Sequence, residues 1–292
     1  MFRIAVASGK GGTGKTFVAT NIFQALMQNN QQTLLADCDA EAPNAAIFFN
    51  TVQDTISEVT QLVPVINTSK CTFCGKCHEY CNYNAIFIIP PAGIIKVIGD
   101  LCHGCGACLA ACNYDAILEK PESLGQVAKL SLDGSHYIIE SRMNIGVMSP
   151  VKVIKAALNE IDHQQGIAII DAPPGTSCPF IQTVSGADYT ILVTEPTPFG
   201  LSDLKQSVET LRIIKKPFGI IINRHGQGNN DVREFLLKGN IPLLLEIPYK
   251  REIAVAYSVG KPVAEADSFF AEQLLQVVKD ILANHGNSSN KR

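Results

Sequence analysis

The eight residues GKGGTGKT, positions 9–16, follow an apolar stretch, FRIAVAS (2–8), that predicts a buried β-strand. They fit the pattern G-x-x-x-x-G-K-[ST], and residues 15–27 behind them predict a helix. Glycines allow such a loop to turn its backbone N–H groups toward an anion, and the start of the helix adds the positive end of its dipole. A strand, a glycine-rich loop and a helix in this order predict a phosphate-binding loop at the start of an α/β domain.

Two side chains of this loop have the chemistry to hold a nucleotide. Lys15 is expected to reach the β- and γ-phosphates, and the Thr16 hydroxyl is expected to bind Mg²⁺, so ATP or ADP with Mg²⁺ is the expected ligand. A glycine turn with incidental lysines is the alternative, and the flanking strand and helix weigh against it. The nucleotide-binding residues predicted in the loop are Gly9, Lys10, Gly11, Gly12, Thr13, Gly14, Lys15 and Thr16.

Further strands are predicted along the chain, and helical periodicity separates most of them. The second is QTLLADCD (32–39), and residues 127–140 predict a hairpin around Asp133-Gly134. Four more are GIAIIDA, DYTILVTEP, FGIIINR and PLLLEIPY, with helices near 201–214, 231–238, 251–259 and 267–283. Unbroken apolar strands alternating with helices predict a doubly wound, mostly parallel α/β sheet covered on both faces. The last helix, which carries Phe269 and Phe270, lacks a basic face and is expected to pack on the core.

The overall composition excludes several classes of protein. With 292 residues, 46% of them apolar, the chain can bury a substantial core. A net charge of −3, with no lysine- or arginine-rich run, argues against a nucleic-acid partner. No apolar run reaches the roughly 18–20 residues of a membrane span, and the first residues lead into the glycine loop rather than an export signal. We therefore expect a cytoplasmic protein without membrane insertion.

Eight of the ten cysteines lie in two repeats, CTFCGKCHEYCNYNAI (71–86) and CHGCGACLAACNYDAI (102–117). Disulfides explain them poorly in a reducing compartment, and C-x2-C-x2-C-x3-C is the spacing of bacterial ferredoxins, whose fourth cysteine binds the other cluster. The predicted ligands of a first [4Fe-4S] cluster are Cys71, Cys74, Cys77 and Cys112, and those of a second are Cys102, Cys105, Cys108 and Cys81.

The repeats interrupt the alternation of strands and helices. The sequence therefore predicts a small α+β ferredoxin-like domain, residues 67–118, inserted into a P-loop domain made of residues 1–66 and 119–292. Asn82 and Asn113 follow the fourth cysteines, where ferredoxins usually have proline; an added N–H near the sulfurs tunes the reduction potential but leaves the ligand set intact. Two four-cysteine zinc sites are the alternative, although zinc favours two separated C-x2-C pairs.

The phosphate loop has a second lysine, Lys10, that the loop pattern does not require. With it, KGGTGKT (10–16) resembles the deviant Walker A motif of the MinD/Mrp/ParA class of ATPases, which includes the nitrogenase iron protein. The resemblance implies that Lys10 crosses a dimer interface to the partner's nucleotide. The dimer partner would be a second copy of the chain or a sister ATPase of the same type.

Three further segments resemble motifs of this class in the same order. Asp39, placed at the end of the second predicted strand, resembles the switch I aspartate that orients the attacking water. In IAIIDAPPG, Asp171 resembles the Walker B carboxylate that holds Mg²⁺ through water, and Gly175 the switch II glycine that faces the γ-phosphate. Asn223 resembles the asparagine that reads adenine. From the residues alone, either aspartate could cap a loop and Asn223 could cap a turn. The catalytic set that the resemblance implies is Lys10, Lys15, Asp39 and Asp171.

As a whole, the chain resembles the MinD-superfamily ATPases that contain an inserted ferredoxin domain. The resemblance implies a dimeric, ATP-hydrolysing switch that couples nucleotide state to electron transfer through the clusters or to docking of a redox protein. An iron–sulfur carrier of the Mrp type is an alternative, but such carriers use a C-terminal C-x-x-C, and no cysteine follows Cys178. A MinD/ParA-like spatial organiser and a cobyrinate-type amidoligase are weaker alternatives, since the chain has neither a basic helix nor a glutaminase segment.

Cys178 lies outside both repeats, seven residues after Asp171. The nitrogenase iron protein places a cysteine that bridges two subunits at this spacing. Its second bridging cysteine has no counterpart here, because residues 119–170 contain none. A small buried thiol is therefore the preferred interpretation of Cys178.

Overall fold

The computed structural model describes residues 1–161 and 166–286, and it divides the chain into two compact units. Unit 1 comprises Met1–Ser57, Val127–Arg142 and Val151–Arg292, and unit 2 comprises Glu58–Gln126 and Met143–Pro150. The sequence-based domain boundaries, after residues 66 and 118, both lie inside unit 2. The difference arises because the strands that lead into and out of the cysteine repeats are long, and the chain passes from one unit to the other within them.

The elements alternate in unit 1 and are short in unit 2. The strands are β1 (Phe2–Ala7), β2 (Thr33–Asp37), β3 (Val52–Ile66), β4 (Ile86–Ile89), β5 (Ile94–Val97), β6 (Ile117–Ser131), β7 (Tyr137–Met143), β8 (Ile167–Asp171), β9 (Tyr189–Thr194), β10 (Phe218–His225) and β11 (Leu243–Pro248). The α-helices are α1 (Lys15–Gln28), α2 (Lys76–Glu79), α3 (Ala107–Ala110), α4 (Val151–Asn159), α5 (Cys178–Ser185), α6 (Pro198–Ile213), α7 (Asp231–Lys238), α8 (Arg251–Ser258) and α9 (Ser268–His285).

The main sheet is doubly wound and mostly parallel, as the alternating pattern predicts. Its strand order is β11-β10-β9-β1-β8-β2-β7-β6-β3, and the pairs from β11 through β7 are parallel. Every residue of β8 and β9 is buried, which fits their unbroken apolar sequences. The parallel register places Val6 and Asp37 beside Asp171, so three strands end together where an open α/β sheet presents its ligand-binding groups.

Helices α1 and α9 cover one face of this sheet and complete its core. Phe17 of α1 stacks on Phe270 of α9 with ring centroids 5.9 Å apart, and Leu274 and Ile281 of α9 are buried in the same core. The last helix therefore packs on the protein core, as expected. Its Phe269 is 69% exposed, however, because it lies on the outer side of the first turn.

Several local features differ from those that the sequence predicts. Strand β3 and helix α5 were not predicted: β3 is mostly exposed at the edge of the sheet, and α5 is short and follows a proline- and glycine-rich segment. Strand β2 ends at Asp37, so Asp39 lies in the following loop rather than at the strand end. Asn223 lies within β10, which continues to His225.

Unit 2 shows the internal duplication that its sequence predicts. Gly75 and Gly106 have positive φ angles of 82° and 73° and precede the one-turn helices α2 and α3. A small core is formed by Cys77, Ile86, Cys108 and Ile117, which are equivalent in pairs across the repeat. The segment that leads from the first repeat to the second forms the antiparallel pair β4–β5.

The sequence predicts no membrane-spanning segment, and the lengths and compositions of the helices test this prediction. Within residues 1–161 and 166–286, no helix is both long enough and apolar enough to span a bilayer.

Candidate functional site

The phosphate loop forms one wall of a cavity of about 470 Å³ in unit 1. Its lining includes charged and polar side chains, among them Lys15, Thr16 and Asp39. It also includes apolar and aromatic side chains, among them Phe17, Tyr249, Ile253 and Tyr257. A cavity lined by both kinds of side chain suits a ligand that combines phosphates with a ring system. The predicted residues that line the cavity are Gly11, Gly12, Gly14, Lys15, Thr16, Asp39 and Asn223.

The loop takes a conformation that its glycines allow. Gly12 and Gly14 have φ angles of 80° and 96°, in the region that residues with a Cβ rarely adopt. The amide of Asn223 packs directly on Gly14 and donates a hydrogen bond from Nδ2 to the carbonyl oxygen of Thr13, over 2.9 Å. The Asn223 Oδ1 atom accepts a hydrogen bond from the Arg224 backbone N–H, over 2.9 Å. Asn223 thus supports the loop from the side and also lines the cavity.

The predicted Mg²⁺ ligands, Thr16 and Asp171, are in contact. The Thr16 hydroxyl donates to Asp171 Oδ2 over 2.6 Å, and Asp171 is fully buried. The other carboxylate oxygen, Asp171 Oδ1, and the hydroxyl of Thr13 are both buried and have no hydrogen-bond partner in the part of the chain that is described. A buried polar atom without a hydrogen-bond partner lowers the stability of the fold, so the site is suited to a further group that binds to these oxygen atoms. A hydroxyl and a carboxylate are ligands that Mg²⁺ prefers, so these residues fit that ion.

Asp37, which the sequence did not single out, joins Asp39 and Asp171 in an acidic cluster. Asp37 is buried and accepts hydrogen bonds from the backbone N–H groups of Asp39, Asn44 and Ala45. Burial and the neighbouring charge of Asp171 raise the pKa of Asp37, while those hydrogen bonds oppose the rise. Burial also raises the pKa of Asp171, against the effects of Lys15 and of the Thr16 hydrogen bond. A cation in the cluster would relieve this repulsion.

Lys15 places a positive charge beside this acidic cluster. It is 6% exposed, and its Nζ atom lies 3.9 Å from Asp39 Oδ2. Burial raises the pKa of Asp39, and the charge of Lys15 lowers it. The fold thus brings together a lysine, a hydroxyl and three carboxyl groups at the carboxyl ends of the strands.

Lys10, the second lysine of the loop, faces a glutamate of the same chain. Its Nζ atom lies 3.8 Å from Glu195 Oε2, and Arg224 binds Glu195 Oε1 over 2.6 Å. Glu195 is only 8% exposed, so this carboxylate is held between two cations. Glu195 was not predicted as a site residue because it follows β9 and belongs to no motif.

The remaining predicted residues of this site lie around the cavity. Gly9 and Thr13 line a smaller depression beside α6, and Gly175 donates its N–H to the Ser8 carbonyl over 3.1 Å. The φ angle of Gly175 is 96°, so its position also suits glycine. The aromatic residues that line the cavity were missed because Phe17 lies far along the chain from Tyr249 and Tyr257, and none of the three belongs to a motif.

The eight repeat cysteines line two separate cavities in unit 2, divided as the sequence predicts. The four that line the first are Cys71, Cys74, Cys77 and Cys112, and the four that line the second are Cys81, Cys102, Cys105 and Cys108. In each cavity one cysteine comes from the other repeat. All ten cysteines of the chain are free thiols, and equivalent repeat cysteines have the same degree of burial.

The surroundings of these thiols suit an iron–sulfur cluster. Backbone N–H groups of Phe73, Ala85 and Gly104 point at the Sγ atoms of Cys71, Cys81 and Cys102, over 3.3–3.4 Å. Such N–H groups stabilise the negative charge of a cluster. Burial raises the pKa of Cys77, and it raises that of Cys108 to about 11, which disfavours free thiolates there. In the described ranges, no three cysteine, histidine or acidic side chains are close enough to share one metal ion.

Cys178 corrects the sequence-based interpretation, because its side chain is exposed and not buried. It is the first residue of α5, whose buried side is formed by Phe180, Thr183 and Val184. Cys178, two positions before the buried Phe180, therefore points away from the core.

A family model described as "CobQ/CobB/MinD/ParA nucleotide binding domain" matches residues 4–263. The chain belongs to this family. Together with the loop geometry, membership makes the chain a P-loop ATPase of the MinD/ParA type. The match extends across the segment that contains the cysteine repeats, although the family description names only a nucleotide-binding domain.

Individual proteins of this family resemble the chain over most of its length. An uncharacterized protein of Methanocaldococcus jannaschii is 30% identical over 268 residues, which are 89% of this chain and 91% of that protein. An iron–sulfur cluster carrier protein of Pseudomonas fragi is 24% identical over 90% of this chain and 78% of its own length. The septum site-determining protein MinD of Pyrococcus horikoshii, solved with Mg-ADP, superposes with a TM-score of 0.58 at 18% identity and covers 96% of this chain and 95% of its own. The family fold of unit 1 is thus a MinD-like P-loop fold.

Proposed function

We propose that this ATPase carries two [4Fe-4S] clusters and couples the state of its bound nucleotide to electron transfer or to the docking of a redox protein. The observation that carries the proposal is the division of eight cysteines into two cavities. Each cavity combines three cysteines of one repeat with the fourth of the other, which is the ligand exchange of two-cluster ferredoxins. The clusters, when bound, would supply one-electron redox chemistry.

The residues of unit 1 have distinct roles in this proposal. The loop N–H groups and Lys15 bind the phosphates, and Thr16 and Asp171 hold Mg²⁺. Asp39, which lines the cavity beside Lys15, positions the attacking water, and Gly175 binds the γ-phosphate once it turns away from Ser8. Asn223 contacts the adenine ring while it supports the loop.

Lys10 gives the nucleotide state a way to act on a second protomer. In the single chain it faces Glu195, and in the proposed dimer it moves to the nucleotide of the partner, either a second copy or a sister ATPase. When Lys10 leaves the Glu195 carboxylate and binds the triphosphate of the partner protomer, dimerisation becomes dependent on ATP. The similarity to the Pyrococcus horikoshii MinD, which was solved with Mg-ADP, supports the nucleotide part of this proposal.

The chain itself connects the acidic cluster with the cysteine repeats. Asp37 holds the backbone at Asn44 and Ala45, and the chain then enters β3, which ends in unit 2. A change at the γ-phosphate that alters the loop at Asp39 therefore acts on the segment that leads to the clusters.

The proposal is tested by isolating the full chain without oxygen and measuring its iron, sulfide and zinc. We expect about eight iron and eight sulfide per chain. Replacing Cys71 and Cys74 together by alanine should lower the iron to about half, whereas Cys178→Ser, outside both repeats, should leave it unchanged. Zinc in place of iron, or an iron content insensitive to the Cys71 and Cys74 replacements, would refute the proposal.

Cluster delivery is a second candidate function, and the similarity to iron–sulfur cluster carrier proteins favours it. Delivery requires that a cluster leave the chain. Incubation of the loaded protein with an apo-ferredoxin separates the two functions: transfer of iron at the rate of ATP hydrolysis favours the carrier, and retention of both clusters favours the redox switch.

A further inference from the structure

The two cysteine cavities are built from equivalent residues, 31 positions apart (71 and 102), so each serves as a reference for the other. Gly75 corresponds to Gly106, Tyr114 to Tyr83, and Ile117 to Ile86, and every one of these residues lines its own cavity. Differences between the two cavities at equivalent positions are therefore differences between the environments of the two clusters.

Two of these differences put charges of opposite sign at the two cavities. Lys76 lines the first cavity, and its equivalent in the second is Ala107. Glu119 lines the second cavity, and its equivalent in the first is Ile88. The first cavity thus has an added cation and no carboxylate, and the second has a carboxylate and no equivalent lysine.

Both differences act to separate the two reduction potentials, because Lys76 raises that of the first cluster and Glu119 lowers that of the second. Reduction adds a negative charge to a cluster, so a nearby carboxylate disfavours it and a nearby ammonium group favours it. Glu119 is only partly exposed, and its Oε1 atom lies 3.8 Å from where a Cβ of Gly106 would stand, within the second cysteine run. Lys76 is exposed, so water and salt screen its charge more strongly. Glu119 is therefore the stronger determinant.

A third difference at equivalent positions is Thr72 against His103. His103 stacks on Tyr83 with ring centroids 3.7 Å apart, and both line the second cavity. The two potentials are therefore compared at one fixed pH.

We propose that Glu119 and Lys76 make the clusters unequal, so that the cluster of Cys71, Cys74, Cys77 and Cys112 has the higher reduction potential. Electrons that enter at the cluster of Cys102, Cys105, Cys108 and Cys81 then pass to the first cluster and are held there. The proposal rests on the proposed function, since it requires both clusters.

The test is a potentiometric titration of the anaerobically isolated, fully loaded chain, followed by electron paramagnetic resonance. We expect two separate reduction steps. Glu119→Gln, which keeps the shape and removes the charge, should raise the lower potential and leave the higher one in place. Ile88→Glu, which copies the residue of the equivalent position, should lower the higher potential, and Lys76→Ala should lower it by less. Glu122→Gln, an exposed carboxylate of the same unit that lines neither cavity, should change neither.

The outcomes separate the two proposals. A chain without iron refutes the proposed function and this inference with it. A fully loaded chain in which both clusters reduce at one potential, or in which Glu119→Gln moves the higher potential, refutes this inference alone.

Discussion

Replacing the loop glycines one at a time by alanine should produce three different losses of stability. Gly11 has no positive φ angle, and an added Cβ there would meet nothing within 4 Å. Gly12 has a φ of 80° with equally open space, so its replacement adds only backbone strain. Gly14 has a φ of 96°, and an added Cβ would collide with Asn223 Nδ2. The three positions therefore separate the strain from the collision.

The expected magnitudes follow from these geometries. Gly11→Ala should change the free energy of unfolding by less than about 1 kcal/mol. Gly12→Ala should lower it by about 1–2 kcal/mol, the cost of the left-handed conformation. Gly14→Ala should lower it by about 2–4 kcal/mol, because it also displaces the buried hydrogen bond from Asn223 to Thr13, worth about 1–2 kcal/mol.

The collision is tested by a double-mutant cycle with Asn223→Ala. Removing the amide in advance leaves only the strain, so Gly14→Ala should cost about 1–2 kcal/mol less in the Asn223→Ala background. The measurement is urea unfolding of the nucleotide-free chain, followed by circular dichroism. Equal costs for Gly12→Ala and Gly14→Ala, or a Gly14→Ala cost that Asn223→Ala does not change, would refute the assigned contact between loop and asparagine.

Three further predictions concern the charged residues of the site. Lys15→Ala should abolish the rise in melting temperature that Mg-ADP produces, and an unchanged rise would remove Lys15 from the phosphate site. Burial raises the pKa values of Asp37 and Asp171, so the folded chain holds protons that the unfolded chain has released. The melting temperature without Mg²⁺ should therefore fall as the pH rises from about 5 to 8, and Mg-ADP should make that fall smaller. A melting temperature that rises with pH would contradict the raised pKa values. Lys10→Ala should retain ADP binding but lose the ATP-dependent dimer in light scattering, and a dimer that forms normally would exclude Lys10 from the interface.

The sequence predicted best those features that depend on spacing within a short segment. The glycine loop and the division of the eight cysteines into two groups of four follow from local motifs. The contact of Thr16 with Asp171, which are 155 positions apart, depends instead on the arrangement of the strands. A parallel sheet brings the ends of successive strands together, so residues that follow apolar strands meet even when they are far apart in the chain.

The features that the sequence missed depend on packing between distant segments. Asp37 is important because its carboxylate receives N–H groups from a loop that no pattern predicts, and Glu195 because it faces Lys10 across the fold. Cys178 was expected to be buried, but its exposure depends on which side of α5 meets the core. The contact of Asn223 with the Thr13 carbonyl was also not predicted, because it requires the folded loop.

The most direct test of the account measures ATP hydrolysis by the fully loaded chain under anaerobic conditions, with the clusters first oxidised and then reduced by dithionite. If nucleotide state and cluster state are coupled, the two rates should differ, and the difference should become smaller in the Cys71→Ala, Cys74→Ala variant, which keeps one of the two clusters. The same rate in the oxidised and the reduced protein would contradict the coupling and leave an ATPase with clusters that its nucleotide does not control.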